Sequence, residues 1–109
     1  MNNDKFDFQE FAKLDIRMGT VIEAERVPET NKLLKVQIDF GNETRQVVAG
    51  FGHLHKPEEL VGKQVPVVIN IKEANIKGVK SQGIFIAIYD DKATFLIPEN
   101  KVKNGSKIK

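Results

Sequence analysis

The chain has 109 residues, of which 40% are hydrophobic and 29% charged. This size and balance predict one folded, soluble domain spanning residues 1–109 and exclude a two-domain enzyme. It contains no cysteine, which excludes disulfide frameworks and thiolate sites; since no apolar run has the length of a signal peptide or membrane span, we expect a cytoplasmic protein without membrane contact. The net charge of +2 is uneven, because residues 1–71 carry −2 and residues 72–109 carry +4.

The first predicted element is a short helix over residues 8–13. Asp7, followed three residues later by Glu10, is a helix-capping signal. Phe8 and Phe11 lie three residues apart and therefore share one helix face. Two turns are too few for an isolated helix, so we expect this one to dock on the domain or on a partner.

Alternating apolar and polar residues predict the next three strands. The first begins near Asp15, and Gly19 within it indicates a bulge or a bend. The second strand covers Leu34–Phe40 and the third Thr44–Ala49. Their short connection favours an antiparallel hairpin. The residues predicted to face the core from the first strand are Ile16, Met18, Ile22 and Ala24.

One helical turn, Pro57–Leu60, is predicted between the third and fourth strands by its leading proline and acidic first turn. Val65, Val67, Ile69 and Ile71 alternate in the fourth strand, where Pro66 requires an edge, a bulge or a position whose amide is not needed.

The remaining chain predicts a basic loop over residues 72–83, a buried fifth strand over Ile84–Tyr89, a strand over Ala93–Ile97 and a lysine-rich C-terminal extension. Five core strands with a helix only between the third and fourth cannot form a parallel sheet. We therefore predict an all-β, five-stranded Greek-key barrel of the OB-fold type.

No pattern predicts catalysis. The serines, Ser81 and Ser106, are far in sequence from His53 and His55 and form no triad signature. The two histidines have a spacing that zinc could use, but no third ligand is indicated. Gly50 and Gly52 lack the Lys-Ser/Thr of a phosphate-binding P-loop. We expect a binding protein with no catalytic residue, metal or cofactor.

The most informative segment for binding is the basic loop. Its three lysines face one acid, and its Asn, Ser and Gln side chains can hydrogen-bond sugars, bases or phosphates. In an OB barrel, the loop before the fifth strand borders the ligand face. Arg45 and Lys32 could reach the same face. Surface lysines often serve only solubility, but this placement favours a nucleic-acid surface.

Four blocks of sequence resemble the tRNA-binding domain family: Asp15–Gly19, Thr44–Gly50, Pro57–Lys63 and Lys77–Gly83. This family includes C-terminal or β-subunit domains of methionyl-tRNA synthetases, stand-alone structure-specific tRNA-binding proteins and CsaA-type secretion chaperones. The chain departs from the family pattern at Val27, Ala49 and Ile84.

The resemblance implies an OB barrel that recognises the outer corner of tRNA by shape. It also implies a homodimer, with residues 1–14 and 90–109 at its interface, and is compatible with a methionyl-tRNA synthetase catalytic chain as a partner. The RNA-binding residues assigned on this basis are Lys32, Arg45, Asn70, Lys72, Lys77, Lys80, Ser81 and Gln82.

Two alternatives remain open. A CsaA-type chaperone would bind unfolded export precursors in an apolar dimer groove, and the segments Lys13–Thr20 and Asn104–Ile108 fit that branch. The blocks Arg45–Gly50 and Lys77–Gly83 are more similar to the synthetase branch. In the third interpretation the chain is a structural dimerisation domain and its lysines provide solubility alone.

Overall fold

The computed structural model describes residues 4–109, so the predictions for residues 1–3 lie outside the described residues. Within that range, the chain forms a short α-helix, a 3-10 turn over Pro57–Glu59 and ten strands. The helix is α1 (Phe8–Ala12). The strands are β1 (Ile16–Arg26), β2 (Leu34–Asp39), β3 (Thr44–Ala49), β4 (Gln64–Val68), β5 (Ala74–Ile76), β6 (Val79–Ser81), β7 (Ile84–Phe85), β8 (Ala87–Tyr89), β9 (Ala93–Phe95) and β10 (Lys107–Ile108).

A single curled antiparallel sheet, in the order β3-β2-β1-β4-β7, makes the barrel. The long strand β1 pairs with β2 through its second half and with β4 through its first half. The two ends of the sheet meet where the amide of Gln82, just before β7, donates to the carbonyl oxygen of Gln46 in β3 at 2.8 Å. The prediction of a five-stranded OB barrel is confirmed.

The core lies inside this barrel and follows the alternation of β2. Leu34, Val36 and Ile38 are fully buried, whereas the residues between them point outward and are half-buried. Phe51 and Leu60 from the connection between β3 and β4 fill the same interior. Each such side chain contributes about 1.5–3 kcal/mol relative to an exposed one.

β4 is buried along its whole length because it lies between β1 and β7. Pro66 stands opposite Met18, and the amide of Met18 donates to the carbonyl oxygen of Ser106 instead. Proline therefore occupies a position where no ladder bond to β1 is needed, the third of the predicted possibilities. The strand ends at Val68, so the predicted continuation to Ile71 is wrong, and Ile71 is exposed.

The register of β1 corrects the predicted core. Ile22 is 51% exposed and Val21 is buried in its place, because the pairing with β2 shifts between Val21 and Glu23. The irregularity is therefore not at Gly19. A Cβ at Gly19 would lie 2.6 Å from Cγ2 of Ile38, so this glycine is required for close packing of β1 on β2.

The predicted buried fifth strand, Ile84–Tyr89, is also corrected. The structure divides it into β7, which pairs with β4, and β8, which leaves the barrel to form a hairpin with β9. Ile84 and Ile88 are consequently about half exposed. The predicted basic loop contains the β5–β6 hairpin, and the predicted strand after the turn is shorter, covering Ala93–Phe95.

The C-terminal segment lies on the barrel, whereas α1 is exposed. β10 pairs with the start of β1, and the amide of Gly105 donates to the carbonyl oxygen of Met18 at 2.7 Å. α1 is confirmed one residue shorter than predicted, and Asp7 makes no side-chain capping bond. No residue of α1 is buried, and Phe8 is 83% exposed. In the described range, no helix has the length and apolarity needed to cross a membrane.

Candidate nucleic-acid interface

The outward side chains of β2 and β3 form a polar strip across the barrel surface. Gln37 and Gln46 are directly paired across the two strands, and Nε2 of Gln37 donates to Oε1 of Gln46 at 3.0 Å. Nε2 of Gln46 in turn donates to the carbonyl oxygen of Lys80 at 2.9 Å. A continuous chain of amides therefore joins β2, β3 and the β5–β6 hairpin.

All four predicted RNA-binding lysines are exposed, and they lie near this strip. Lys77 is at the tip of the β5–β6 hairpin, next to Gly78, and Lys80 is paired with Asn75 within it. Lys72 follows the end of β4, and Lys32 precedes β2, where its carbonyl oxygen accepts from the amide of Gly52. None of the four makes an ion pair within residues 4–109. We call the outer faces of β2 and β3 together with these lysines the basic face.

Arg45 occupies a different position from the one expected. Its Nη1 donates to the carbonyl oxygens of Ile69 at 2.5 Å and Gln82 at 3.2 Å, and its Nη2 contacts Glu43 at 3.1 Å. The guanidinium folds back to tie β3 to the segments after β4 and before β7, and only 23% of the side chain is exposed. Arg45 pairs with Ile38, at the opposite end of the β2–β3 ladder from Lys32.

On the edge of β3 that does not pair with β2, the side chains of Ser81 and Gln82 accept hydrogen bonds from the strand's amides. Oγ of Ser81 accepts from the amide of Val48 at 3.0 Å and donates to the carbonyl oxygen of Gly83 at 3.1 Å. Oε1 of Gln82 accepts from the amide of Gln46 at 3.1 Å. Ser81 is only 4% exposed, and both hydrogen bonds of its hydroxyl stay within the chain.

Asn70 is likewise committed within the chain. Its Oδ1 accepts from the amide of Asp15 and its Nδ2 donates to the carbonyl oxygen of Lys13, both at 2.7 Å. The side chain thus fixes the end of α1 against the end of β4. Of the eight predicted RNA-binding residues, the structure brings the four lysines to the surface and uses Arg45, Asn70, Ser81 and Gln82 to hold elements together.

Three polar residues of the basic face were missed by sequence reasoning. Gln37 and Gln46 alternate with buried residues of confirmed strands, so the period-two pattern could have placed them outside. Lys35 lies on the same side but forms an ion pair with Glu25 at 3.3 Å. Tyr89 was also missed, because the apolar run around it predicted a buried strand.

A second, apolar surface lies between the start of β1, β4 and the C-terminal segment. It is a groove of about 450 Å³ whose lining is almost entirely hydrophobic. Phe8 and Phe11 of α1 are exposed, and they lie a few residues before Ile16, the first residue of the groove's lining. We call it the terminal groove, and its main apolar residues are Ile16, Met18, Pro66, Ile86, Ile97, Val102 and Ile108.

Of the two histidines, His55 has a structural role. Nε2 of His55 is 2.7 Å from the carbonyl oxygen of Ala93, and Nδ1 is 3.2 Å from Oε1 of Glu59. Hydrogen bonds hold the pKa of the Glu59 carboxyl below its usual value. The bond from the amide of Lys56 has the larger effect, and the bond with the His55 ring the smaller one. Among residues 4–109, no three potential ligands are grouped where they could hold a metal ion.

Comparison with known proteins finds relatives over nearly the whole chain. Residues 16–107 match the model of the family described as "Putative tRNA binding domain". A methionine–tRNA ligase of Methanospirillum hungatei is 45% identical over 105 residues, covering 96% of this chain and 16% of the ligase. The chain thus spans about one sixth of the length of such relatives.

Two solved structures are similar over nearly their whole lengths. A MetRS-related protein from Pyrococcus horikoshii has a TM-score of 0.91 and 36% identity, with 95% of this chain and 97% of that chain covered. The chaperone CsaA from Bacillus anthracis has a TM-score of 0.87 and 30% identity, with 96% and 99% covered.

Proposed function

This chain belongs to the tRNA-binding domain family, and on that premise we propose that it binds tRNA, without catalysing a reaction, through the basic face. The observation that carries the proposal is the set of four exposed lysines near the amide strip of Gln37 and Gln46, none of which is ion-paired with any residue from 4 to 109. Lysine ammonium groups bind phosphates, and each contact releases counterions from the RNA. Amide side chains can donate to and accept from sugar hydroxyls and base edges.

Negative charge on the neighbouring strand β1 limits how far the RNA-binding surface extends. On β1, Glu23 and Glu25 are exposed beside β2, and Lys35 is occupied by its ion pair with Glu25. A polyanion would be repelled from that side. We therefore place the RNA over β3 and the β5–β6 hairpin.

The similarity to methionine–tRNA ligases supports a role in supplying tRNA to such an enzyme. This domain would raise the local concentration of tRNA near a methionyl-tRNA synthetase catalytic chain, either as a module of it or in trans. Linking two binding events in this way increases the effective concentration of the second. The residues that activate methionine would belong to the catalytic chain.

We also propose that the chain forms a homodimer through α1 and the terminal groove. A helix of five residues with no buried residue is not stable alone, and the terminal groove, whose lining begins at Ile16 a few residues after α1, is apolar. Replacing Phe8 and Phe11 together by Glu should convert a dimer into a monomer in sedimentation velocity. Leu54→Glu, an exposed apolar position elsewhere, should leave the dimer intact. A monomeric parent chain at every concentration would contradict the dimer.

A chaperone function is the second candidate, and the likeness to CsaA together with the terminal groove favours it. The two functions differ in what displaces the bound ligand. We expect labelled tRNA bound to the chain to be released by unlabelled tRNA but not by a reduced, unfolded polypeptide of low charge, measured by fluorescence anisotropy. Binding of the polypeptide with no binding of tRNA would favour the chaperone function and overturn our proposal.

A further inference from the structure

A small groove opens at the end of the basic face, beside the last residues of β3. Its volume is about 270 Å³, and it extends from Val48–Phe51 past Ile71 and Lys72 to the hairpin base and to Tyr89. We call it the Tyr89 groove. Its volume lies just below the roughly 300 Å³ at which pockets for drug-sized ligands begin, so it suits one planar ring system.

The surface of the Tyr89 groove is largely apolar although it is exposed. Ile71, Ile84 and Tyr89 are 44%, 47% and 58% exposed. The ring of the buried Phe51 supports Tyr89, with their centroids 6.2 Å apart and the planes tilted by 48°. Burial raises the pKa of the Tyr89 phenol, so the ring is neutral at physiological pH.

The charge of the groove's lining favours an anionic ligand with an apolar part. Lys72 is part of its lining. Among the described residues, no other member of the lining is charged. The carboxylates of Glu73 and Asp90, which follow Lys72 and Tyr89 in the chain, hydrogen-bond within the protein: Glu73 accepts from Nε2 of Gln82 at 3.4 Å, and Asp90 accepts from the amide of Lys92 at 3.1 Å. A nucleotide combines these properties, because its base is planar and stacks on aromatic rings while its phosphate is charged.

We infer that the Tyr89 groove receives one unpaired base of the bound RNA, stacked on Tyr89, while Lys72 contacts the adjoining phosphate. The inference rests on the proposed function and adds to it a preference for RNA with unstacked bases. The lysines of the basic face alone would bind paired and unpaired RNA alike.

The chain offers a direct probe, because Tyr89 is its only tyrosine and it has no tryptophan. Intrinsic fluorescence therefore reports on this groove alone. We expect a stem-loop RNA to quench it and a blunt duplex of equal charge to bind without quenching, with N-acetyltyrosinamide correcting for absorption by the RNA. Tyr89→Ala should weaken stem-loop binding about five- to hundredfold with the salt dependence unchanged, and Tyr89→Phe should preserve affinity.

Equal stem-loop affinity of Tyr89→Ala and the parent chain would overturn the inference, provided that both melt at the same temperature. Equal quenching by the duplex would also overturn it, as would quenching by an unfolded polypeptide but not by RNA. None of these outcomes would contradict the proposed function, because that is tested by the salt dependence of RNA binding and by the lysines of the basic face.

Discussion

Replacing Arg45 by Ala should lower the free energy of unfolding by about 2–3 kcal/mol, because the guanidinium makes charge-assisted bonds to two backbone carbonyls. Removing it leaves the Ile69 and Gln82 carbonyl oxygens without their donor at the point where the barrel closes. For a domain of this size, we expect the melting temperature to fall by about 10–20 °C. Differential scanning calorimetry measures both quantities.

Two variants separate this structural role from RNA binding. Arg45→Lys keeps the positive charge but loses the planar fork that reaches both carbonyls, so it should also be destabilised. Lys80→Gln, whose side chain is exposed, should change stability by no more than about 0.5 kcal/mol. If Arg45→Ala melted like the parent chain while losing tRNA affinity, Arg45 would be an RNA contact and our placement of it would be wrong.

Replacing Lys72, Lys77 and Lys80 together by Gln should remove most of the electrostatic part of tRNA binding. Each neutralised phosphate contributes about −0.7 to −0.9 to the slope of log affinity against log salt concentration. We therefore expect the slope to become shallower by about 2–3 units. Because the three side chains are exposed and make no ion pair within residues 4–109, stability should change little, which thermal denaturation would show.

The barrel strands could be predicted because one-sided burial leaves a period-two pattern in the sequence. β2 and β3 follow that pattern, and their bounds differ from the prediction by one residue at most. The run Ile84–Tyr89 has no such alternation. A continuous apolar segment is compatible with one buried strand or with two short ones that serve different sheets, so the division at Ile86 was not predictable.

The roles of the site residues were harder to predict because they depend on long-range bonds. Arg45 binds carbonyls 24 and 37 residues away, and Ser81 binds an amide 33 residues away. A polar residue on an outer strand face has the same local pattern whether it contacts solvent or folds back onto the chain. The lysines were easier to predict as surface residues, because they lie in a hairpin or in connections outside the barrel interior.

The most direct test of the basic face compares the salt dependence of tRNA binding for three proteins. These are the parent chain, the variant with Lys72, Lys77 and Lys80 replaced by Gln, and a control with Lys56, Lys101 and Lys103 replaced by Gln, which has the same net charge as that variant. We predict that the control keeps the parent slope while the first variant loses about 2–3 units. Equal slopes for the two variants would show that net charge alone determines binding and would contradict a specific tRNA-binding face.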